Sequence, residues 1–167
     1  MIKTESDKKL FIKLYKENKQ KFYYIAYKVL QNETDAESAV YAGLLKMVEC
    51  FSSYVDEPYE KLVKLCCMVI QFQACKIQKA GLGNAGDPET EAIPDMPEQS
   101  LNQYEPELIV EAFRQLGEEE LILLKMQYEL ELSPKNIGEL LDMPAQSVTK
   151  RVQCCINRLV QVLERGR

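Results

Sequence analysis

The chain has 167 residues, 46% hydrophobic and 28% charged, with a formal net charge of −5 at pH 7. That length suits one domain or two small ones. No apolar run approaches the roughly 20 residues that cross a bilayer, and the polar start, Met1 to Lys9, lacks a signal-peptide core. The expectation is a cytoplasmic protein that does not enter the membrane.

Histidine is absent, which removes the commonest general base and the commonest metal ligand. The cysteines are Cys50, Cys66, Cys67, Cys75, Cys154 and Cys155. None forms a Cys-x-x-Cys pair, and neighbours on a helix diverge, so reduced thiols packed as small apolar groups are expected and zinc is not. No cofactor is expected.

Leu10, Phe11, Leu14, Phe22, Ile25, Ala26, Val29 and Leu30 recur at three- and four-residue steps, which predicts a first helix. Thr34-Asp35-Ala36-Glu37 has the form of a capping box opening a second helix. That helix buries Ala36, Ala39, Val40, Gly43, Leu44, Met47, Val48 and Phe51. After a loop at Ser52 to Glu57, Pro58 starts a third helix, apolar almost all round from Leu62 to Ile77. Such a helix is buried on several sides or offers a surface to a partner.

Residues 81–106 combine four prolines with many acids and little apolar content. They predict a flexible acidic linker, with a short ordered piece at Gln99 to Tyr104. Helices resume near Glu107. Leu108, Ile109, Ala112, Phe113 and Leu116 make one face, Gly117 stops it, and Leu121 to Tyr128 form the next helix.

Leu132 to Val152 then reads as two short-spaced helices and a tight turn. Ser133 caps the first, and Pro134 takes the first helical position, where a missing N–H costs nothing. Ile137, Leu140 and Leu141 share a face. Asp142 to Pro144 break the pattern, and a longer helix continues through Val148, Val152, Ile156, Leu159 and Leu163. That is a helix-turn-helix signature, whose second helix usually enters the DNA major groove.

Charge distribution agrees. Residues 1–80 carry 13 basic and 10 acidic side chains, residues 81–107 none and 7, and residues 108–167 carry 8 and 9. The middle segment makes the protein acidic. From Pro144 onward the cations are Lys150, Arg151, Arg158, Arg165 and Arg167 against Glu164, so positive charge gathers on the helix that would need it. A solvated terminal helix with basic residues suiting its dipole is the plain alternative. Tyr23, Tyr24 and Tyr27 cluster on the first helix, as half-buried core, as interface or as a platform for unpaired bases. The expected architecture is all-α. Two small helical domains, residues 1–80 and 107–167, are joined by the linker at 81–106, and the C-terminal domain is a helix-turn-helix.

This layout resembles the extracytoplasmic-function group of bacterial RNA polymerase sigma factors. Leu-Ser-x-x-x-Ile-Gly-x-Leu-Leu from Leu132, then Ser-Val-x-x-Arg-Val from Ser147 and Arg158-Leu159, are similar to the promoter-reading module. Leu14-Tyr15, Leu30-x-Asn32, Asp35-Ala36-Glu37-x-x-Val40, Lys46 and Phe51 are similar to the polymerase-docking module.

The resemblance implies a non-enzymatic subunit that binds core RNA polymerase and promoter DNA, with an anti-sigma factor as a further candidate partner. It places Gln146, Ser147, Thr149, Lys150 and Arg151 against bases and phosphates, with Arg158 reaching the backbone. It places Asp35, Glu37, Val40, Leu44 and Lys46 on or near the polymerase-docking face. Where the family has a turn glycine this chain has Asp142, which tolerates the left-handed region. The third helix lacks the family's strand-gripping residues; there Gln71, Gln73, Lys76 and Lys79 fit either nucleic-acid contacts or the solvated ends of a core helix. Two other functions fit the pattern: a stand-alone helix-turn-helix regulator that has lost polymerase recruitment, and a module that binds polymerase or an anti-sigma factor without reading DNA.

Overall fold

A computed structural model describes residues 2–81 and 105–165. Among them every regular element is helical, as expected. Apart from its ends at Gly81, Glu105 and Pro106, the expected linker lies outside the described residues, with the piece at Gln99 to Tyr104. The described residues fall into two compact units. The first holds the three N-terminal helices together with Gly138–Met143; the second holds the other C-terminal residues. The expected boundary had kept 107–167 together.

α1 spans Glu5–Leu30. The Asp7 N–H donates to Thr4 Oγ1 at 3.1 Å, while Glu5 and Asp7 in the first turn and Lys28 in the last suit the helix dipole. Gln31 ends it in the left-handed region at φ 52, donating its N–H to Tyr27 O at 2.7 Å.

α2 spans Glu33–Cys50 and corrects the expected capping box. The cap is Asn32, whose Oδ1 accepts the Asp35 N–H at 3.0 Å, and Thr34 lies inside the helix. Asparagine caps at least as well as threonine. Because α1 closes at Gln31, the next residue is already placed to begin α2.

After a 3-10 turn at Phe51–Ser53, α3 spans Tyr59–Gly81. It packs on both α1 and α2, which accounts for its all-round apolar pattern; Cys66, Val69, Ile70 and Ala74 are fully buried. Gly43 permits the close approach of α2: a Cβ there would stand 2.5 Å from Ile70 Cγ1 and 2.9 Å from Ile70 Cα. Leu14, Phe22, Met47, Phe51 and Phe72 complete this core. At its edge Tyr59 donates its hydroxyl hydrogen to Glu17, and Asn18 Nδ2 donates to the Tyr59 hydroxyl oxygen at 3.1 Å.

α4 spans Pro106–Arg114 and α5 spans Glu118–Leu124. Gly117, expected as a stop, is the N-cap of α5; its N–H donates to Glu120 Oε2 at 3.2 Å. Beyond Leu124 the turn widens to π geometry over Lys125–Glu129, with the Leu130 N–H donating to Lys125 O at 3.0 Å. Glu131 then takes φ 55, and both Leu130 and Leu132 are buried. The extra width and the left-handed residue let two near neighbours in sequence both enter the core.

α6 spans Pro134–Leu141, and Ser133 caps it as expected, accepting the Asn136 N–H at 3.2 Å. It closes at Asp142, φ 55, with the Met143 N–H donating to Gly138 O at 2.9 Å. Within the first unit, Lys76 Nζ donates to Leu141 O at 3.4 Å and Lys46 pairs with Asp142, two cations at a helix C-terminus. α7 spans Ala145–Arg165 and buries Val148, Val152, Cys155, Leu159 and Leu163 at three- and four-residue steps; it packs on α4 and α5. No helix among the described residues is long and apolar enough to cross a membrane.

Candidate functional site

Two surfaces gather the residues singled out in the sequence. The first is a groove of about 720 Å³ between α1 and α2. Phe11, Ile12, Tyr15 and Tyr23 come from α1, and Val40, Tyr41 and Leu44 from α2. Lys19, Gln20 and Glu37 add polar groups. On α2 the residues at 37, 40, 41 and 44 follow helical spacing, so one stripe faces the groove. Tyr41 is 71% exposed and Tyr15 41%, large aromatic surface left uncovered within the unit. The Tyr23 ring stacks on Tyr27 with centroids 5.9 Å apart, and desolvation first, then Glu33 and Glu37, push its phenol above the ordinary range.

Of the five expected docking residues, Glu37, Val40 and Leu44 line this groove. Asp35 is exposed in the first turn of α2, where its N–H serves the Asn32 cap. Lys46 is half-buried and engaged elsewhere. It bonds Glu49 Oε2 at 3.2 Å and pairs with Asp142, and the Asp142 hydrogen bond, ahead of Glu49, holds its ammonium above the usual lysine range.

The second surface is the outward side of α7. Gln146, Thr149 and Lys150 are exposed, and Ser147, Arg151 and Gln153 are partly exposed. Gln146, Thr149, Lys150 and Gln153 follow the i, i+3, i+4, i+7 rule and share a polar face. Thr149 Oγ1 donates to Ala145 O at 3.1 Å, leaving its lone pairs as acceptors. The arginines are drawn sideways. Arg151 Nη1 lies 3.7 Å from Glu119 Oε2, and Arg158 Nη1 donates to Glu120 at 2.6 Å and 2.8 Å.

Neither surface holds a metal constellation: no group of three or more Cys, Asp or Glu side chains could hold an ion among the described residues. None of the six cysteines is in a disulfide; Cys66, Cys75 and Cys155 are buried, and Cys50, Cys67 and Cys154 are partly exposed. Burial pushes the Cys155 thiol up to about 12, too high for a thiolate nucleophile near neutral pH.

No model of a known protein family matches this chain, and no curated protein matches it. The functional reading therefore rests on motif resemblance and on the two surfaces. Sequence reasoning missed Ile12 and Tyr41 as groove residues and had Tyr15 only within the docking-module motif. Tyr41 was legible as the i+4 neighbour of Glu37, but Ile12 and Tyr15 needed the pairing of α1 with α2. It also missed Glu119 and Glu120, which lay ahead of the helix expected from Leu121 and fall instead in the first turn of α5.

Proposed function

We propose that the chain is a sigma factor that binds core RNA polymerase and directs it to promoter DNA, working in the cytoplasm and catalysing nothing itself. In this reading residues 1–80 are the docking domain and 107–167 a helix-turn-helix domain, with the acidic segment 81–106 between them in sequence. The observation that carries it is the groove. Glu37, Val40 and Leu44, three residues that the resemblance assigns to docking, lie with Tyr15 and Tyr41 along an apolar slot open to a partner. An aromatic, mostly uncharged slot with a few polar groups fits an amphipathic helix.

α7 is the reading helix. Gln146, Ser147, Thr149 and Lys150 lie in its first two turns, the part of a recognition helix that meets base edges. Glutamine can bond adenine bidentately, serine and threonine can bond base edges or phosphate, and lysine answers phosphate or guanine. Few cations mean weak binding alone. Joining this hold to the groove through polymerase raises the effective concentration of each.

The test is transcription by core polymerase supplied with the purified chain. Initiation at a defined site is expected. The double change Lys150→Ala and Arg151→Ala should abolish it with helical content unchanged; run-off transcripts at full yield from that variant would remove α7 from the role. A second reading, a module that binds polymerase or an anti-sigma factor without reading DNA, draws support from the acids set beside Arg151 and Arg158. Capture of polymerase with no salt-dependent DNA binding would favour it.

A further inference from the structure

Arg151 and Arg158 are seven residues apart on α7, so they share a face about 10 Å apart along the axis. Both meet the first turn of α5, but in different ways. The Arg151–Glu119 pair, at 3.7 Å, is longer than a hydrogen bond. Arg158 Nη1 lies 2.6 Å from Glu120 Oε1 and 2.8 Å from Oε2, within charge-assisted hydrogen-bond range of both.

Glu120 has a second task. Its Oε2 also accepts the Gly117 N–H that opens α5. Gly117 has no side chain with which to cap, so this carboxylate supplies the side-chain cap. α5 has only seven residues and continues for five more in the π turn, a run still marginal for a helix unaided. One carboxylate thus fastens the start of a marginal helix to the middle of α7. Arg158 also lies beyond the residues placed to meet bases, roughly 12 Å further along the axis than Lys150 and roughly 18 Å further than Gln146.

We propose that Glu120 and Arg158 are positioning residues that set α7 against α5, and that Arg158 is not a DNA ligand. The second half rests on the reading of α7 as a DNA-binding helix; the first does not. It reassigns the one expected DNA contact that lies outside the first two turns of the helix.

The experiment compares the full-length chain with Arg158→Ala, Glu120→Gln and Lys150→Ala. One measurement is affinity for a mixed-sequence DNA duplex across a salt series. The other is hydrogen exchange of the Leu121 to Leu124 amides without DNA. Arg158→Ala should speed that exchange about two- to fivefold, the range for a partly exposed ion pair, and leave the slope of log affinity against log salt unchanged. Glu120→Gln should speed exchange similarly, and although it removes a negative charge it should not tighten DNA binding. Lys150→Ala should do the reverse: normal exchange, and a slope smaller by about one ion. An Arg158→Ala protein with normal exchange overturns the proposal, and so does one whose slope falls by about one. If the unaltered chain binds no duplex, the DNA reading fails by itself, and the exchange data alone decide the strap: acceleration supports it and unchanged rates refute it.

Discussion

The two units hold together by different means. The first is built from helices of 26, 18 and 23 residues around a core of Leu14, Phe22, Met47, Phe51 and Phe72. The second surrounds a 21-residue helix with helices of nine and seven. It adds a π turn, a left-handed Glu131 and two arginine–glutamate pairs. Long helices bury enough apolar surface to leave one face uncovered. Short ones depend on specific polar contacts to fix their angles. The groove is what remains when packing is complete, whereas the charged edge of α7 is part of what completes it.

The hardest blow to the first unit should come from Gly43→Ala. Its new methyl would press on both the side chain and the backbone of Ile70, and overpacking of this kind costs about 1–3 kcal/mol. Thermal unfolding followed by circular dichroism should show a midpoint lower by several degrees; an unchanged midpoint would mean that α2 and α3 are not in close contact.

Leu44→Asp attacks the groove without entering the core, since Leu44 is only half-buried. An unpaired carboxylate forced into an apolar interface costs about 2 kcal/mol, so capture of core polymerase should fall roughly thirtyfold. Full capture with helicity intact would move docking to another face.

Alkali probes both units through their buried acids. Burial, ahead of nearby acidic groups, pushes the Tyr54 phenol of the first unit from 10.0 up to about 12. Burial likewise pushes the Cys155 thiol of the second from 9.0 to about 12, with Glu120 next among the causes. In the unfolded chain each group loses its proton near its ordinary value, and in the folded chain only near 12. Their contribution to stability is therefore complete below about pH 9 and is lost as pH rises towards 12. Denaturant midpoints should fall across that window, and less steeply for Cys155→Ala. A slope equal to that of the unaltered chain would show that Cys155 ionises with equal ease folded and unfolded.

The mildest change should stabilise. Glu131 occupies the left-handed region at φ 55, where glycine escapes the Cβ penalty. Against the larger unfolded-state entropy of glycine, Glu131→Gly should gain about 0.5 kcal/mol. A loss in urea melts would mean that the Glu131 side chain holds contacts worth more than the strain.

Much of the fold was legible because its determinants are local. The apolar steps of α1 and α7 marked their buried faces, Ser133 marked the start of α6, and Asp142 in place of glycine proved compatible with the left-handed turn. The misplaced start of α2 is instructive. Thr34 and Asn32 both offer a capping oxygen, and the end of the preceding helix, not the capping motif, chose between them. Lys46 shows the same limit at the candidate site: as a cation on the docking helix it matched the motif, yet its partners include Asp142, far along the chain.

Local sequence suffices for the helical state of the described residues, for roughly where each helix begins and ends, and for which stripes are apolar. Those properties follow from hydrogen bonds and side-chain spacings within four residues. Packing between helices sets the groove that α1 and α2 leave between them, and brings Arg158 to Glu120 across 38 residues. Periodicity states which face of a helix is buried, but not which helix covers it. A charge at helical spacing is equally at home in water or against a partner until packing brings one within reach.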